Sequence, residues 1–200
     1  MDGTPTKSER TRQRILDAAA AQFSSDGYNA RLSDIATRAG IQTGSLYYHF
    51  DSRDDLVAEV LLLGIETSWQ HVREAVAGLP EGSTAKDALA AAIRAHTLSV
   101  LEIGDYSSAQ ARIVGQVPAA VRERHMIDQR RYGAYWNELI EAAVSSGELR
   151  DDLDPFVTRM LVLGALNWTA EWYQVGRSTT ATDIADQAVT IALDGLTRRP

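Results

Sequence analysis

The stretch GIQTGSLYYHFDSRDDL, residues 40–56, decides the fold of this chain. It begins with a glycine, places two tyrosines, a histidine and a phenylalanine at residues 47–50, and ends in charged residues. Leu46 and Phe50 are four residues apart, so both lie on one face of a short helix. The pattern predicts a helix that packs through these two residues and presents its outer face to a partner. The alternative is that these aromatic side chains pack tightly at a turn within the hydrophobic core and face no partner.

A second short helix is predicted just before it, from Leu32 to Ala39, and Gly40 ends that helix. Ala36 and Leu46 are small or apolar where the two helices cross, and the glycine permits a sharp turn. Two helices joined in this way form a helix-turn-helix, in which the second helix can enter the major groove of DNA. Its outer face carries polar side chains that can bond phosphates or base edges: Gln42, Thr43, Ser45, Tyr48 and His49, with Tyr47 at the margin.

This segment resembles the DNA-binding segment of the TetR family of bacterial transcriptional regulators. The family pattern is Ile-Ala, Ala-Gly, a short turn, Gly–small–Leu-Tyr-x-His-Phe, and a serine followed by a basic residue. The matching positions in this chain are Ile35-Ala36, Ala39-Gly40, Gly44 to Tyr47, His49-Phe50 and Ser52-Arg53. The motif covers residues 10–56, and the predicted helix count and the chain length are similar to the family throughout.

The resemblance implies a role for each matching position of the second helix. Thr43, Ser45 and Tyr48 would face bases or phosphates, and Tyr47 and His49 would touch the sugar-phosphate backbone. Without the motif, His49 is an ordinary surface histidine and Tyr47 serves packing as well as contact. These roles therefore depend on the whole pattern rather than on single residues.

The resemblance also implies DNA contacts outside the second helix. Arg53 stands where the family usually has lysine and would hold a phosphate. Arg31 and Ser33 would meet the other wall of the groove. Arg10 and Arg12 would add nonspecific attraction to the polyanion.

Two helix starts depart from the family pattern. Arg31 stands where a threonine usually caps the first helix of the motif, and Gln42 stands where a serine usually caps the second. Each poor cap costs about 1 kcal/mol. Asn29 and Thr43 can replace them as caps if the helix starts shift by one or two residues.

The rest of the chain predicts further helices, because no segment alternates apolar and polar residues as a strand does. The nine predicted helices cover residues 10–25, 32–39, 43–50, 52–79, 84–101, 107–115, 118–146, 155–175 and 182–196. We predict an all-α protein with two domains. Residues 1–51 form the helix-turn-helix DNA-binding domain, and residues 52–200 form a larger helical domain for effector binding and dimerisation.

Charge and composition restrict the class of protein. The chain has 200 residues, a net charge of −7 and no cysteine. The first fifty residues carry six basic and five acidic side chains, so the remaining 150 carry −8. On charge alone a solvated N-terminal tail is the better interpretation, although a basic end can meet DNA. Without cysteine or an apolar N-terminal segment, we expect a cytoplasmic protein that does not enter the membrane.

The patterns of common catalytic and cofactor sites are missing from the sequence. It contains no glycine-rich phosphate loop, no Glu-x-x-His pair and no Gly-x-Ser-x-Gly turn. Its four histidines never stand three or four residues apart. We therefore expect no catalytic residue, no metal site and no cofactor, and we interpret the protein as something other than an enzyme.

The last two predicted helices carry more apolar surface than packing against their own domain would bury. Val157, Leu161, Gly164, Trp168 and Trp172 form one stripe at steps of three and four, and a second apolar stripe runs beside it. One stripe can face the domain and the other a second subunit; burial of both within one subunit is the alternative. The residues predicted at the interface are Val157, Leu161, Trp168, Trp172, Ile184, Ala188 and Ile191.

The resemblance implies that these helices pair with their symmetry mates as a four-helix bundle. A two-fold dimer presents two recognition helices about one DNA turn apart and so requires a near-palindromic operator. The resemblance also implies a small-molecule effector, held in an apolar pocket with a few polar groups. The candidate effector residues are Trp69, His96, Tyr106, Trp136, Asn167, Trp168 and Glu171.

The end of the eighth predicted helix, WxxxWY followed by a glycine, is similar to a branch of the family that responds to acyl-CoA or other lipid-derived ligands. The function that follows is a homodimeric repressor, released from its operator when the effector binds. A DNA-binding regulator without an effector is the alternative. Each tryptophan taken alone is more typical of core than of a ligand wall.

Overall fold

The computed structural model describes residues 6–102, 104–176 and 178–197, and over that part the regular structure is helical. The eight α-helices are α1 (Lys7–Asp26), α2 (Leu32–Ala39), α3 (Arg53–Ala77), α4 (Ala85–Leu101), α5 (Asp105–Ile113), α6 (Ala119–Ser145), α7 (Pro155–Trp172) and α8 (Ala181–Leu196). A 3₁₀ helix, Thr43–Tyr48, lies between α2 and α3. The predicted all-α class is confirmed.

The chain forms two compact units. The first unit is Met1–Gly64 with Asp105–Met126, and the second unit is Ile65–Gly104 with Ile127–Pro200. Two of the three divisions fall inside long helices, α3 and α6, and the third falls immediately before α5. The predicted domain boundary after residue 51 stays a prediction, because a packing unit is defined by contacts and a functional domain by what it binds.

In the first unit, α1 supplies the central buried face. Ile15, Leu16 and Phe23 are almost completely buried and belong to one apolar cluster with residues of α2, α3 and α5. The helix begins with a capping box in which Thr6 and Glu9 satisfy each other's backbone amides. It ends at Gly27, as predicted, where a φ of 74° favours glycine.

Helix α5 belongs to the first unit, although the sequence analysis placed it in the larger domain. Tyr106 Oη donates to Asp17 Oδ1 at 2.8 Å, and Arg112 Nη1 donates to Ser24 O at 3.0 Å, so α5 is bonded to α1. Burial is the main cause that raises the pKa of Tyr106, with Asp17 adding to it. Gly64 of α3 lies so close to α5 that a Cβ added to this glycine would stand 2.5 Å from Tyr106 O.

In the second unit, α4 packs against both α7 and α8. It begins with a capping box of Thr84 and Asp87, at the predicted start of the helix. Its first turn is also held from outside, because the Lys86 amide donates to Glu148 Oε2 at 3.2 Å. The predicted start of α7 is confirmed too, since Asp154 accepts from the Val157 amide at 2.9 Å.

Three local predictions differ from the structure. The third predicted helix is a 3₁₀ helix of six residues. Helix α7 ends at Trp172 rather than near Val175, because the backbone at Tyr173 is extended. Arg31 and Gln42 remain the N-cap residues and make no side-chain capping bond, so the replacement caps at Asn29 and Thr43 were wrong. Both helix starts stay in place because tertiary packing compensates for the missing caps.

Among the described helices, none has a span of sufficient length and apolarity to cross a bilayer. The same part of the chain contains no group of three histidine, cysteine or acidic side chains placed to hold a metal ion.

Candidate DNA interface, polar cluster and apolar face

The 3₁₀ helix is held by two buried anchors. Leu46 is 3% exposed and Phe50 is 5% exposed, and both belong to the apolar cluster of the first unit. The turn before the helix follows from Gly40, whose left-handed backbone (φ 67°) lets its amide donate to Thr37 O at 3.1 Å. The anchors and the turn together fix which side of the 3₁₀ helix faces outward.

That outward side carries the predicted contact residues of the 3₁₀ helix, and the other predicted contacts lie on neighbouring elements of the first unit. Tyr48 is 88% exposed and Tyr47 is 58% exposed, which is unusual for side chains of this size. Gln42, Thr43, Arg31, Ser33 and Arg10 are exposed, and Ser45 and His49 are partly buried. Nine of the ten residues predicted to contact DNA thus have accessible side chains that are free to reach a partner. The tenth, Arg53, is partly buried and its guanidinium bonds to the protein itself.

Arg53 is bonded to the protein. Its Nη1 donates to Ala30 O at 2.9 Å and its Nη2 donates to Tyr28 O. The guanidinium carbon lies 5.2 Å from the ring centre of Tyr28 and 5.8 Å from that of Phe23. No local sequence pattern predicts these contacts, because the partners are 23 to 30 residues away along the chain.

Arg12 is engaged in a similar way. Both of its terminal nitrogens donate to the carboxylate of Glu59 on α3. Its guanidinium lies 4.8 Å from the ring centre of Phe50. Arg12 therefore joins α1 to α3 beside the 3₁₀ helix, a role that the sequence did not indicate.

In the second unit, a buried polar cluster centres on His96. Its Nδ1 lies 3.0 Å from Tyr132 Oη and its Nε2 lies 3.2 Å from Asn167 Oδ1. Burial lowers the pKa of His96 to about 4, a shift that the Asn167 bond opposes. The imidazole is therefore neutral at pH 7, so one ring nitrogen donates and the other accepts. The bonds fit a histidine that donates to the amide oxygen and accepts from the phenol.

Aromatic rings surround this cluster. Tyr132 lies 6.1 Å from Trp69 and 6.2 Å from Trp136 between ring centres, and His96 meets Trp136 edge-on at 5.8 Å. The buried Trp69 Nε1 has no hydrogen-bond partner within the described residues. Four predicted effector residues thus come together, and sequence reasoning missed Tyr132, whose signal was its position one helical turn before Trp136.

The other three predicted effector residues lie elsewhere. Tyr106 packs in the first unit, where its hydroxyl bonds to Asp17. Trp168 and Glu171 are exposed on α7 rather than buried. The difference has a simple cause: the helical phase of α7 turns Asn167 inward, so the next residue must point outward.

Helices α7 and α8 expose a continuous apolar face. We call it the apolar face; its large exposed side chains are Phe156, Val157, Met160, Leu161, Trp168, Trp172 and Ile191. A groove of about 570 Å³ runs between the two helices, with Leu161, Trp172 and Ile191 among its lining residues. Five of the seven predicted interface residues lie exposed on this face, whereas Ile184 is buried within the unit and Ala188 is partly buried.

Two family models match this chain. The one described as "Bacterial regulatory proteins, tetR family" matches residues 15–60, and the one described as "Tetracyclin repressor-like, C-terminal domain" matches residues 82–196. The HTH-type transcriptional repressor KstR2 of Rhodococcus jostii is 32% identical over 198 residues, which cover 98% of this chain and 95% of that protein.

Two solved structures share the fold. The ketosteroid transcriptional regulator KstR2 of Mycobacterium tuberculosis aligns with a TM-score of 0.77 at 23% identity, over 94% of this chain and 95% of that one. AibR, solved with isovaleryl coenzyme A and operator DNA, aligns with a TM-score of 0.79 at 20% identity, over 90% and 97%. These structures show the shared fold, and the two family models with the Rhodococcus relative show the family: the chain belongs to the tetR family of bacterial regulatory proteins.

Proposed function

We propose that this chain is a ligand-responsive transcriptional repressor that binds a near-palindromic operator as a homodimer. One observation carries the proposal: the two tyrosines of the 3₁₀ helix are exposed, while Leu46 within the helix and Phe50, two residues after its end, are buried. A short helix held in this way presents hydrogen-bonding aromatic side chains at a fixed orientation. That is the arrangement that a DNA-reading helix requires.

In this proposal the contacts divide by chemistry. Tyr48, Thr43 and Ser45 reach base edges or phosphates, and Tyr47 and His49 contact the sugar-phosphate backbone. Additional contacts come from exposed side chains on neighbouring elements. These side chains carry a positive charge, a hydroxyl or an amide: Arg10, Arg31, Ser33 and Gln42. Contacts with the sugar-phosphate backbone position the protein on DNA and make its binding depend on salt.

The apolar face supports the homodimer. Side chains as large as Leu161 and Trp168 are 70% and 65% exposed, and covering them with a second copy removes apolar surface from water. A two-fold pairing of α7 and α8 would form a four-helix bundle. A two-fold dimer also contains two copies of the 3₁₀ helix related by the same axis, which explains why a near-palindromic operator is expected.

We place the effector in the second unit, near His96, Trp69, Trp136 and Asn167. The rings provide apolar contact, and the neutral polar groups provide a few directed hydrogen bonds. AibR was solved with isovaleryl coenzyme A, which supports an apolar or amphipathic effector such as an acyl-CoA. Binding is reciprocal, so a ligand that weakens DNA binding must itself be bound less tightly by the DNA complex.

The second candidate function is a DNA-binding regulator without an effector. It is favoured by the dense ring packing around His96, whose hydrogen bonds are already made within the protein. Under both candidates the chain binds DNA in the cytoplasm and catalyses no reaction. The family consists of regulators, and their function does not require a chemical step.

The test begins with a pool of randomised DNA duplexes selected by the wild-type protein. The enriched sequence should be near-palindromic, and fluorescence anisotropy should give a binding curve that depends on salt. Isovaleryl-CoA and a longer acyl-CoA are then titrated into the complex, with free coenzyme A as the control. Release by an acyl-CoA alone supports the repressor, whereas binding that no acyl-CoA alters supports the second candidate. A pool that shows no enrichment contradicts both.

A further inference from the structure

The turn between α1 and α2 is held by one side chain from α3. Arg53 donates through Nη1 to Ala30 O at 2.9 Å and through Nη2 to Tyr28 O. Its guanidinium lies over the rings of Tyr28 and Phe23, at 5.2 Å and 5.8 Å from their centres. Bonds from a charged donor are about twice as strong as neutral ones, so this is a firm attachment.

The turn needs such support because α2 begins without a side-chain cap. Arg31 occupies the N-cap position and makes no capping bond, while the amides of Asp34 and Ile35 bond only to the Arg31 carbonyl. Ala30, whose carbonyl Arg53 binds, is the residue immediately before that cap. Arg53 thus fixes the backbone at the point where the cap is missing.

Arginine is suited to this task and lysine is not. A guanidinium is planar and can bond two acceptors in one plane while its face stacks on aromatic rings. An ammonium is a compact, strongly hydrated charge without a planar face, so it cannot stack on the rings while it bonds two acceptors in one plane. The substitution of arginine for the lysine expected at this position is therefore a change of role rather than a conservative replacement.

We propose that Arg53 is a positioning residue for DNA recognition. By bonding Tyr28 O and Ala30 O it fixes the start of α2, and α2 in turn packs against the 3₁₀ helix that presents Tyr47 and Tyr48. In this role its guanidinium acts through the turn instead of holding a phosphate. The proposal rests on the proposed DNA-binding function, and it deepens that function by naming what orients the reading helix.

The test compares Arg53→Lys and Arg53→Ala with the wild-type protein on the selected duplex, over a range of salt concentrations. Arg53→Lys keeps the charge but loses the planar guanidinium that bonds both carbonyls while it stacks on the rings. It should weaken binding about tenfold, which corresponds to about 1.4 kcal/mol, without changing the slope of log K against log salt. Arg38→Lys, the same change at an exposed position of α2, is the matched control and should bind as wild type.

A second measurement does not require DNA. Arg53→Lys should speed hydrogen exchange of the Asp34 and Ile35 amides while far-UV circular dichroism stays unchanged. Installing a cap with Arg31→Thr should reduce the effect, so that Arg53→Lys weakens DNA binding less in the Arg31→Thr protein than in the wild type. Failure of the DNA-binding function would leave the exchange result intact, so the two failures can be told apart.

A phosphate-holding role predicts the opposite pattern. Arg53→Lys would bind DNA as the wild type does, and Arg53→Ala would lower the salt slope by about 0.9. Either that pattern or unchanged exchange at Asp34 and Ile35 in Arg53→Lys would overturn the positioning role.

Discussion

The two units of the molecule differ in what they bury and in what they expose. The core of the first unit is an apolar cluster built on α1, and its 3₁₀ helix exposes the phenols Tyr47 and Tyr48. The second unit buries the polar side chains His96 and Thr97 and exposes Leu161 along its apolar face. Both units bury some polar side chains, Ser107 and Gln110 in the first among them, but the large exposed aliphatic side chains of the described residues lie in the second.

The difference indicates two kinds of partner. Phenols and hydroxyls on a rigid short helix suit a polyanion, because they donate hydrogen bonds and add no negative charge. An exposed apolar face suits a partner that is itself apolar, and a second copy of the same face is such a partner. A buried polar network whose hydrogen bonds are all satisfied rigidifies a core and specifies one packing arrangement.

The largest expected effect on assembly and DNA binding comes from placing a charge on the apolar face. Leu161→Arg should convert the dimer into a monomer, because an unpaired buried charge costs several kcal/mol. Operator affinity should then fall about a hundredfold, the equivalent of about 2.8 kcal/mol. Sedimentation velocity and anisotropy measure the two effects. Ala142→Arg, at an exposed position of α6, is the matched control, and a dimeric Leu161→Arg protein would contradict the assignment.

The buried polar cluster of the second unit should make the free energy of unfolding depend on pH, because it contains His96. His96 keeps its neutral form until about pH 4, whereas an unfolded histidine takes a proton near 6.5. The unfolded state therefore binds more protons between these values. Stability should fall by about 3 kcal/mol as the pH drops through that window.

Urea denaturation at several pH values between 4 and 7.5 measures this effect. His96→Gln should flatten the curve, because glutamine does not titrate. His71→Gln, the same change on α3, should leave the curve steep since it retains His96. A wild-type curve that is already flat across this window would mean that His96 titrates normally.

A smaller effect is expected where helices approach most closely in the first unit. Gly64→Ala puts a Cβ against the side chain of Gln110 and 2.5 Å from Tyr106 O, so α3 and α5 must separate. Overpacking of this kind costs about 1–3 kcal/mol. Gly195→Ala is the control, because nothing lies within 4 Å of its added carbon. Thermal unfolding of both variants decides whether the α3–α5 contact is as tight as the distances imply.

The smallest effect on stability is expected at the most exposed tyrosine. Tyr48→Ala removes a side chain that is 88% exposed, so the free energy of unfolding should change by less than about 0.5 kcal/mol. The preferred DNA sequence should change at one or two positions, at about 1–3 kcal/mol per lost base contact. A repeated selection from the randomised pool measures the preference. An unchanged preference would remove Tyr48 from the base-reading set.

Much of the fold was predictable because its signals are local. The capping residues Thr84, Asp87 and Asp154 lie beside the helices that they start, and apolar spacing defines each helix face. The third helix was predicted in the right place but as an α-helix. Its 3₁₀ form depends on how Leu46 and Phe50 reach a core built by other elements, which no local pattern specifies.

The candidate sites were predictable only in part, for the same reason. Exposure of Tyr47 and Tyr48 follows from their spacing relative to the two anchors. The partners of Arg53 and the place of Tyr132 beside His96 do not, because these residues meet only after distant segments have packed.

The sequence by itself determined the helices, the helix-turn-helix and the residues it exposes, since these depend on spacing within one or two turns. Only the tertiary structure decided that α5 packs on α1, that Trp168 points outward and that Arg53 bonds the Tyr28–Ala30 turn. These arrangements depend on contacts between residues far apart in the chain. The free energy of such contacts depends on the whole packed core, so a local pattern of residues does not predict them.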